Sequence, residues 1–155
     1  MGKNKMIVRN LRPSDVENTA ILMGYYKDDL GIADEDWDGE MVVKSLRTYA
    51  IGADHSCLLA LDGTRVVGGL FGSVKTEFYN TQVTAVVHFI FLLESHRTQA
   101  NYEYLFNEFK KWTDRFGAKK FLMVDITDNS RRLQDIAEVL EFDKETATLF
   151  IKEVE

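Results

Sequence analysis

Apolar and polar positions run along the chain in blocks whose period switches between strand and helix. "MIVRNL", from Met6 to Leu11, reads as a short strand. In "RPSDVE" Pro13 restrains the backbone, Ser14 is placed to cap a helix, and Glu17 stands three residues on, as in a capping box. Val16, Ala20, Met23 and Leu30 then follow at roughly helical spacing. An acidic loop, "KDDLGIADEDWDGE", separates them from a second helix of roughly Gly39 to Tyr49, with Met41, Val42, Leu46 and Tyr49 on its apolar side. Two strands follow, Ser56 to Leu61 and Arg65 to Val74, with Asp62-Gly63 between them as a hairpin signal. Gly68, Gly69 and Gly72 interrupt the second of these strands, which marks a bulge, close packing, or an approach by another chain or ligand. Val83 to Leu93 is a long β-rich run, apolar on both faces, and reads as a central strand.

"ESHRTQANYEYLF" then opens a helix. Its apolar positions are Tyr102, Leu105, Phe106, Phe109, Trp112 and Phe116, and Gly117 ends it. Phe121 to Ile126 predicts a strand. Leu133, Ile136, Ala137 and Leu140 define a last amphipathic helix, which Asp128 or Ser130 can cap, and Thr146 to Val154 is a closing strand. The order is strand, two helices, three-strand meander, helix, strand, helix, strand. It predicts one mixed α/β domain over residues 1–155.

Composition narrows the function classes. At 155 residues, 45% apolar and 28% charged, the chain reads as globular rather than disordered. Its net charge of -6 argues against general nucleic-acid binding and for tolerance of cationic partners. Cys57 is the single cysteine and lies in an apolar run, so it reads as buried filler, and neither a disulfide framework nor a metal site is expected. No membrane span or signal peptide is expected. Gly2 lacks the Ser or Thr at position 6 that myristoylation requires. These features point to a reducing, cytoplasmic location.

Four stretches carry a resemblance to a known family: "IVRNLRPSDVE", "CLLALDGTRVVGGLFG", "HFIFLLESHRTQANYEYLFNEFKKWTDRFGAKKFLMVDI" and "NSRRLQDIAEVLEFDKETATLFIKEV". In that order they resemble the GNAT superfamily of acyl-CoA N-acyltransferases over nearly the whole chain. The resemblance implies an α/β (α+β) fold, with a mixed, largely antiparallel sheet of six or seven strands and about four helices. It implies transfer of an acetyl group from acetyl-CoA, as co-substrate, to a primary amine of a small cationic molecule or a protein. A homodimer is compatible with it.

The family's cofactor loop, Arg or Gln, two residues, Gly, one residue, Gly or Ala, falls on Arg97, Thr98, Gln99, Ala100, Asn101 and Tyr102. Arg97 matches, Ala100 replaces the first glycine, and Tyr102 replaces the second small residue. Such a loop needs backbone N–H groups at a helix N-terminus aimed at a pyrophosphate, and alanine supplies these at negative φ. Tyr102 fits equally as a core aromatic. The fourth strand, at Phe91, Leu92 and Leu93, is where the resemblance places a backbone N–H that polarises the thioester. Asn129, near Asp125 at the end of the fifth strand, either bonds pantetheine amides or caps the last helix. Arg131 and Arg132 either meet the CoA phosphates or are exposed arginines at a helix start.

His88 and Glu94 are the candidate bases. His88 interrupts an apolar strand and titrates near neutrality. Its other reading is a hydrogen-bonded core histidine, as that of Glu94 is a solvated strand-end acid. Asp34, Asp36 and Trp37 in the acidic loop are placed by the resemblance on the acceptor side, where carboxylates attract an ammonium and an indole stacks on it. The same acids also read as a solvated, helix-capping loop. The tyrosine that often protonates the leaving thiolate falls on Ala137 here, and Glu141 replaces the glycine of a Gly-Phe step. The alternative is a catalytically degenerate, GNAT-like binding or structural module. In style, "FKKWTDRFGAKK" is similar to phage-encoded relatives.

Overall fold

The computed structural model describes residues 5–123 and 130–142, together with 152 and 154. Five strands form one sheet in the order β1 (Met6–Asn10), β2 (His55–Asp62), β3 (Arg65–Thr76), β4 (Val83–Leu92) and β5 (Lys120–Met123). Neighbours are antiparallel except β4 and β5, which run parallel from Thr84–Lys120 to Val87–Met123. The helices are α1 (Val16–Tyr25), α2 (Gly39–Ile51), α3 (Gln99–Asp114) and α4 (Ser130–Val139). The mixed, largely antiparallel class is as expected. Five strands, rather than six or seven, lie among the described residues. The expected closing strand over 146–154 and the continuation of β5 through 124–126 fall outside or almost outside them.

Both faces of the sheet are covered, which is why its strands are apolar on both sides. In β2, Leu58 and Ala60 face a core shared with Leu105, Phe106 and Phe109 of α3 and Ile136 of α4. Cys57, Leu59 and Leu61 face the opposite core with Val16 and Met23 of α1 and Leu46 of α2. Val67 is an extra residue in β3 relative to β2, and His88 is an extra residue in β4 relative to β3. Each bulge flips the side-chain parity, since strand side chains alternate faces.

Several local expectations shift. The hairpin turn is Gly63-Thr64, one residue later than expected, because Asp62 pairs with Arg65; Gly63 takes φ 62°. Ser14 makes no capping bond to α1. Instead Asp15 accepts from the Arg12 N–H (2.7 Å) and is gripped by Arg9 (2.7 and 3.0 Å), since Pro13 begins a 3-10 turn that runs straight into α1. The Arg9 hydrogen bond holds the Asp15 carboxyl below its ordinary pKa. The glycines of β3 are explained by packing. A Cβ on Gly72 would lie 2.6 Å from the Phe109 ring and 2.7 Å from the Val86 carbonyl.

Candidate active site

His88 follows Val87 of the α3-side core and so points to the opposite face, and the bulge at His88 brings Phe89 onto that same face. His88 is not a core histidine: it is exposed on the α2 side of the sheet, where its Nε2 lies 2.7 Å from Ser73 Oγ of β3. Burial of part of the ring lowers the His88 pKa from its ordinary value, with His55 and Lys75 adding to the shift, which favours the neutral imidazole with one ring nitrogen able to accept a proton.

His88 lines a cavity of about 350 Å³ between the α1–α2 segment, α2, β3 and β4. Asp36, Trp37 and Asp38 line it from the segment before α2, and Phe71 and Phe89 from the sheet. Tyr49 of α2 adds a wall and ties the site together: its ring lies edge-on to His55 (4.9 Å) and to His88 (5.8 Å). Burial, and secondarily Cys57, raises the Tyr49 pKa, so its hydroxyl stays protonated. Trp37 is positioned against Gly24 of α1, where a Cβ would come within 3.2 Å of the indole. Asp38 also caps α2 through the Met41 N–H (3.2 Å).

Of the expected acceptor-side residues, Asp36 and Trp37 therefore line the same cavity as His88. Asp34 does not line the cavity; it pairs with Lys27 (3.3 Å). Glu94 lies beyond the end of β4, exposed in a 3-10 turn, and is also not among the lining residues. Tyr49, Ser73 and Asp38 were not singled out by the sequence. Asp38 had a signal, its place among the clustered acids. Tyr49 and Ser73 had none, because their nearness to His88 exists only once four segments are packed.

The glycine-poor loop is held by side chains. Arg97 Nε donates to the Leu92 carbonyl (2.8 Å), and its guanidinium pairs with Asp29. Asn101 Nδ2 donates to the His96 carbonyl (2.9 Å). His96 is itself buried, bridging Ser95 Oγ (2.7 Å) and Asp62 Oδ2 (2.9 Å) of the β2–β3 hairpin. Thr98 caps α3 by accepting the Asn101 N–H (3.1 Å). The Tyr102 N–H closes the first helical turn on the Thr98 carbonyl (3.1 Å), and its side chain lies in the core shared with α3. The N–H groups of Gln99 and Ala100 are left without a hydrogen bond among the described residues. Two donors at the head of a 16-residue helix fit an anionic phosphate group.

Phe91, Leu92 and Leu93 are buried. The Leu93 N–H is already bonded to the Val67 carbonyl (2.8 Å). Asn129 and Asp125 lie outside the described residues, as do the side chains of Arg131 and Arg132. Cys57 is buried, and that burial pushes its thiol up to about 12. The described residues hold no group of His, Cys, Asp and Glu able to bind a metal ion, and no helix among them is long and apolar enough to cross a membrane.

No family model and no curated protein matches this sequence. Solved structures do match its fold. A possible acetyltransferase from Clostridium difficile 630 superposes with a TM-score of 0.74 at 14% identity, covering 97% of this chain and 98% of that one. The aminoglycoside antibiotic 6'-N-acetyltransferase from Acinetobacter baumannii gives 0.75 at 19% identity, over 97% and 99%. An aminoglycoside N-acetyltransferase in complex with CoA gives 0.77 at 14% identity, over 96% and 94%.

Proposed function

Taking the fold of the GNAT-type acetyltransferases as premise, we propose that this protein transfers an acetyl group from acetyl-CoA to a primary amine. The observation that carries the reading is that His88, whose surroundings favour its neutral form, lines one cavity with the exposed carboxylates of Asp36 and Asp38. Asp36 and Asp38 draw in the protonated amine. With Nε2–H donating to Ser73 Oγ, His88 keeps its lone pair on Nδ1 and takes one proton from the ammonium. The freed amine nitrogen attacks the thioester carbonyl carbon, the C–S bond breaks, and CoA leaves as thiol with the second amine proton. Acetyl-CoA supplies the activated acyl group. Gln99 and Ala100 offer backbone donors to its phosphates, while Arg97 fixes the loop rather than reaching toward them. The high Cys57 pKa argues for direct transfer without an acyl-cysteine.

The second reading, a binding module without turnover, is favoured by Ala137, which puts no hydroxyl where the resembling enzymes carry their acid. Release of CoA thiol, followed with a panel of primary amines, separates the two. Amine-dependent release supports transfer. Stabilisation by acetyl-CoA with no release from any amine supports the binding module.

A further inference from the structure

The lining of the His88 cavity specifies more than an amine. Its walls are the rings of Trp37, Tyr49, Phe71 and Phe89, with Met23 and Leu46 among the aliphatic side chains behind them. Its acids, Asp36 and Asp38, come from exposed positions on a single short segment, and one of them is already engaged in capping α2. Beyond the acids and His88, the lining offers only the Ser45 and Tyr49 hydroxyls as polar groups against Met23, Ile32, Val42 and Leu46 and the aromatic rings. That arrangement matches one ammonium group and an apolar body, because several hydroxyls or a second ammonium would outnumber the polar partners the walls supply. A cavity of about 350 Å³ is also near the small end of the range for ligand sites.

We propose, resting on the acyl-transfer reading above, that the acceptor is a small monoamine with an aromatic or other apolar body, not a polyhydroxylated or polycationic amine. The ring of such an amine lies among Trp37, Phe71 and Phe89, and its nitrogen lies toward His88 and the carboxylates. Met41 lines the same cavity from an exposed position in the first turn of α2, where an acid is compatible with the helix. It is thus the place to change the specificity without disturbing the core.

The test compares kcat/KM for 2-phenylethylamine, spermidine and kanamycin by acetyl-CoA-dependent thiol release, in the wild type and in Met41→Asp. Thermal stability with acetyl-CoA alone is measured on the same samples. The wild type should prefer 2-phenylethylamine over both others by about tenfold or more. Met41→Asp should shrink that preference by favouring spermidine. Equal or better turnover of spermidine or kanamycin by the wild type overturns this proposal and leaves the acyl-transfer reading standing. So does turnover of another primary amine with none of 2-phenylethylamine. Absence of any acetyl-CoA stabilisation removes the acyl-transfer reading itself, and this proposal with it.

Discussion

His88 shows how one side chain's role is set by its neighbours across the sheet. Strand alternation puts it on the opposite face from Val87, the α2 face beside Ser73, and the bulge adds Phe89 to the same face, so both line one cavity. Replacing His88 by Gln keeps a hydrogen-bonding group but removes the base. His88→Gln is expected to lower kcat by about 10²–10⁴-fold while acetyl-CoA binding is retained. The wild-type kcat/KM should fall on acidification, with an apparent pKa below 6.5, because burial disfavours the charged ring. The sign for stability agrees. Below pH 6.5 the unfolded chain takes up the proton first, so this contribution is present above 6.5 and is lost as pH falls toward the folded pKa. A kcat/KM that does not fall at any acidic pH at which the protein stays folded, or a Gln variant with full activity, would exclude His88 as the base.

At the scale of elements, the helices and strands were legible from periodicity, because β2, β3 and β4 are apolar on both faces and α3 carries a 3, 4, 7 stripe. What periodicity could not carry is register. The turn at Gly63-Thr64, the extra residues Val67 and His88, and the Asp15–Arg9 link in place of a Ser14 cap are all set by pairing between distant segments. The glycines of β3 were legible as a special feature but not as to cause. The cause at Gly72 is the Phe109 ring of α3. Gly72→Ala should therefore cost about 1–3 kcal/mol in chemical denaturation, through overpacking between α3 and the sheet. An unchanged denaturation midpoint would contradict that packing.

The end of α4 makes the converse case. Glu141 occupies the glycine's place in the expected step and still adopts φ 59°. The Phe142 N–H bonds back to the Ala137 carbonyl (2.9 Å), as in a helix terminus of the Schellman type. The backbone has kept the glycine conformation with a side chain that disfavours it. Glu141→Gly is expected to raise stability by about 1 kcal/mol, read from the same denaturation midpoint, with no change in amine selectivity. A loss of stability would mean that the Glu141 side chain contributes contacts exceeding its backbone strain.

Across the whole molecule, the missing loop glycines are offset by a lattice of side-chain bonds. His96 joins the loop to the β2–β3 hairpin, Arg97 joins it to β4 and Asp29, and Asn101 closes it on itself. The sequence displayed the loss of glycine plainly and the replacement scarcely at all, since Asp62 and Asp29 lie far from the loop in the chain. Of the candidate site, His88 was visible as a polar residue in an apolar strand, and Asp36 and Trp37 through the acidic loop that the resemblance puts on the acceptor side. The cavity they share with Tyr49 and Phe71 needed the fold. The central proposal is that this loop and helix terminus bind acetyl-CoA, with the Gln99 and Ala100 N–H groups as donors. Its most direct test is a thermal-denaturation titration with acetyl-CoA. A ligand bound only by the folded state at 100 times its Kd adds about 2.7 kcal/mol, so the midpoint should climb steadily with concentration. A midpoint unmoved at millimolar acetyl-CoA would contradict the account.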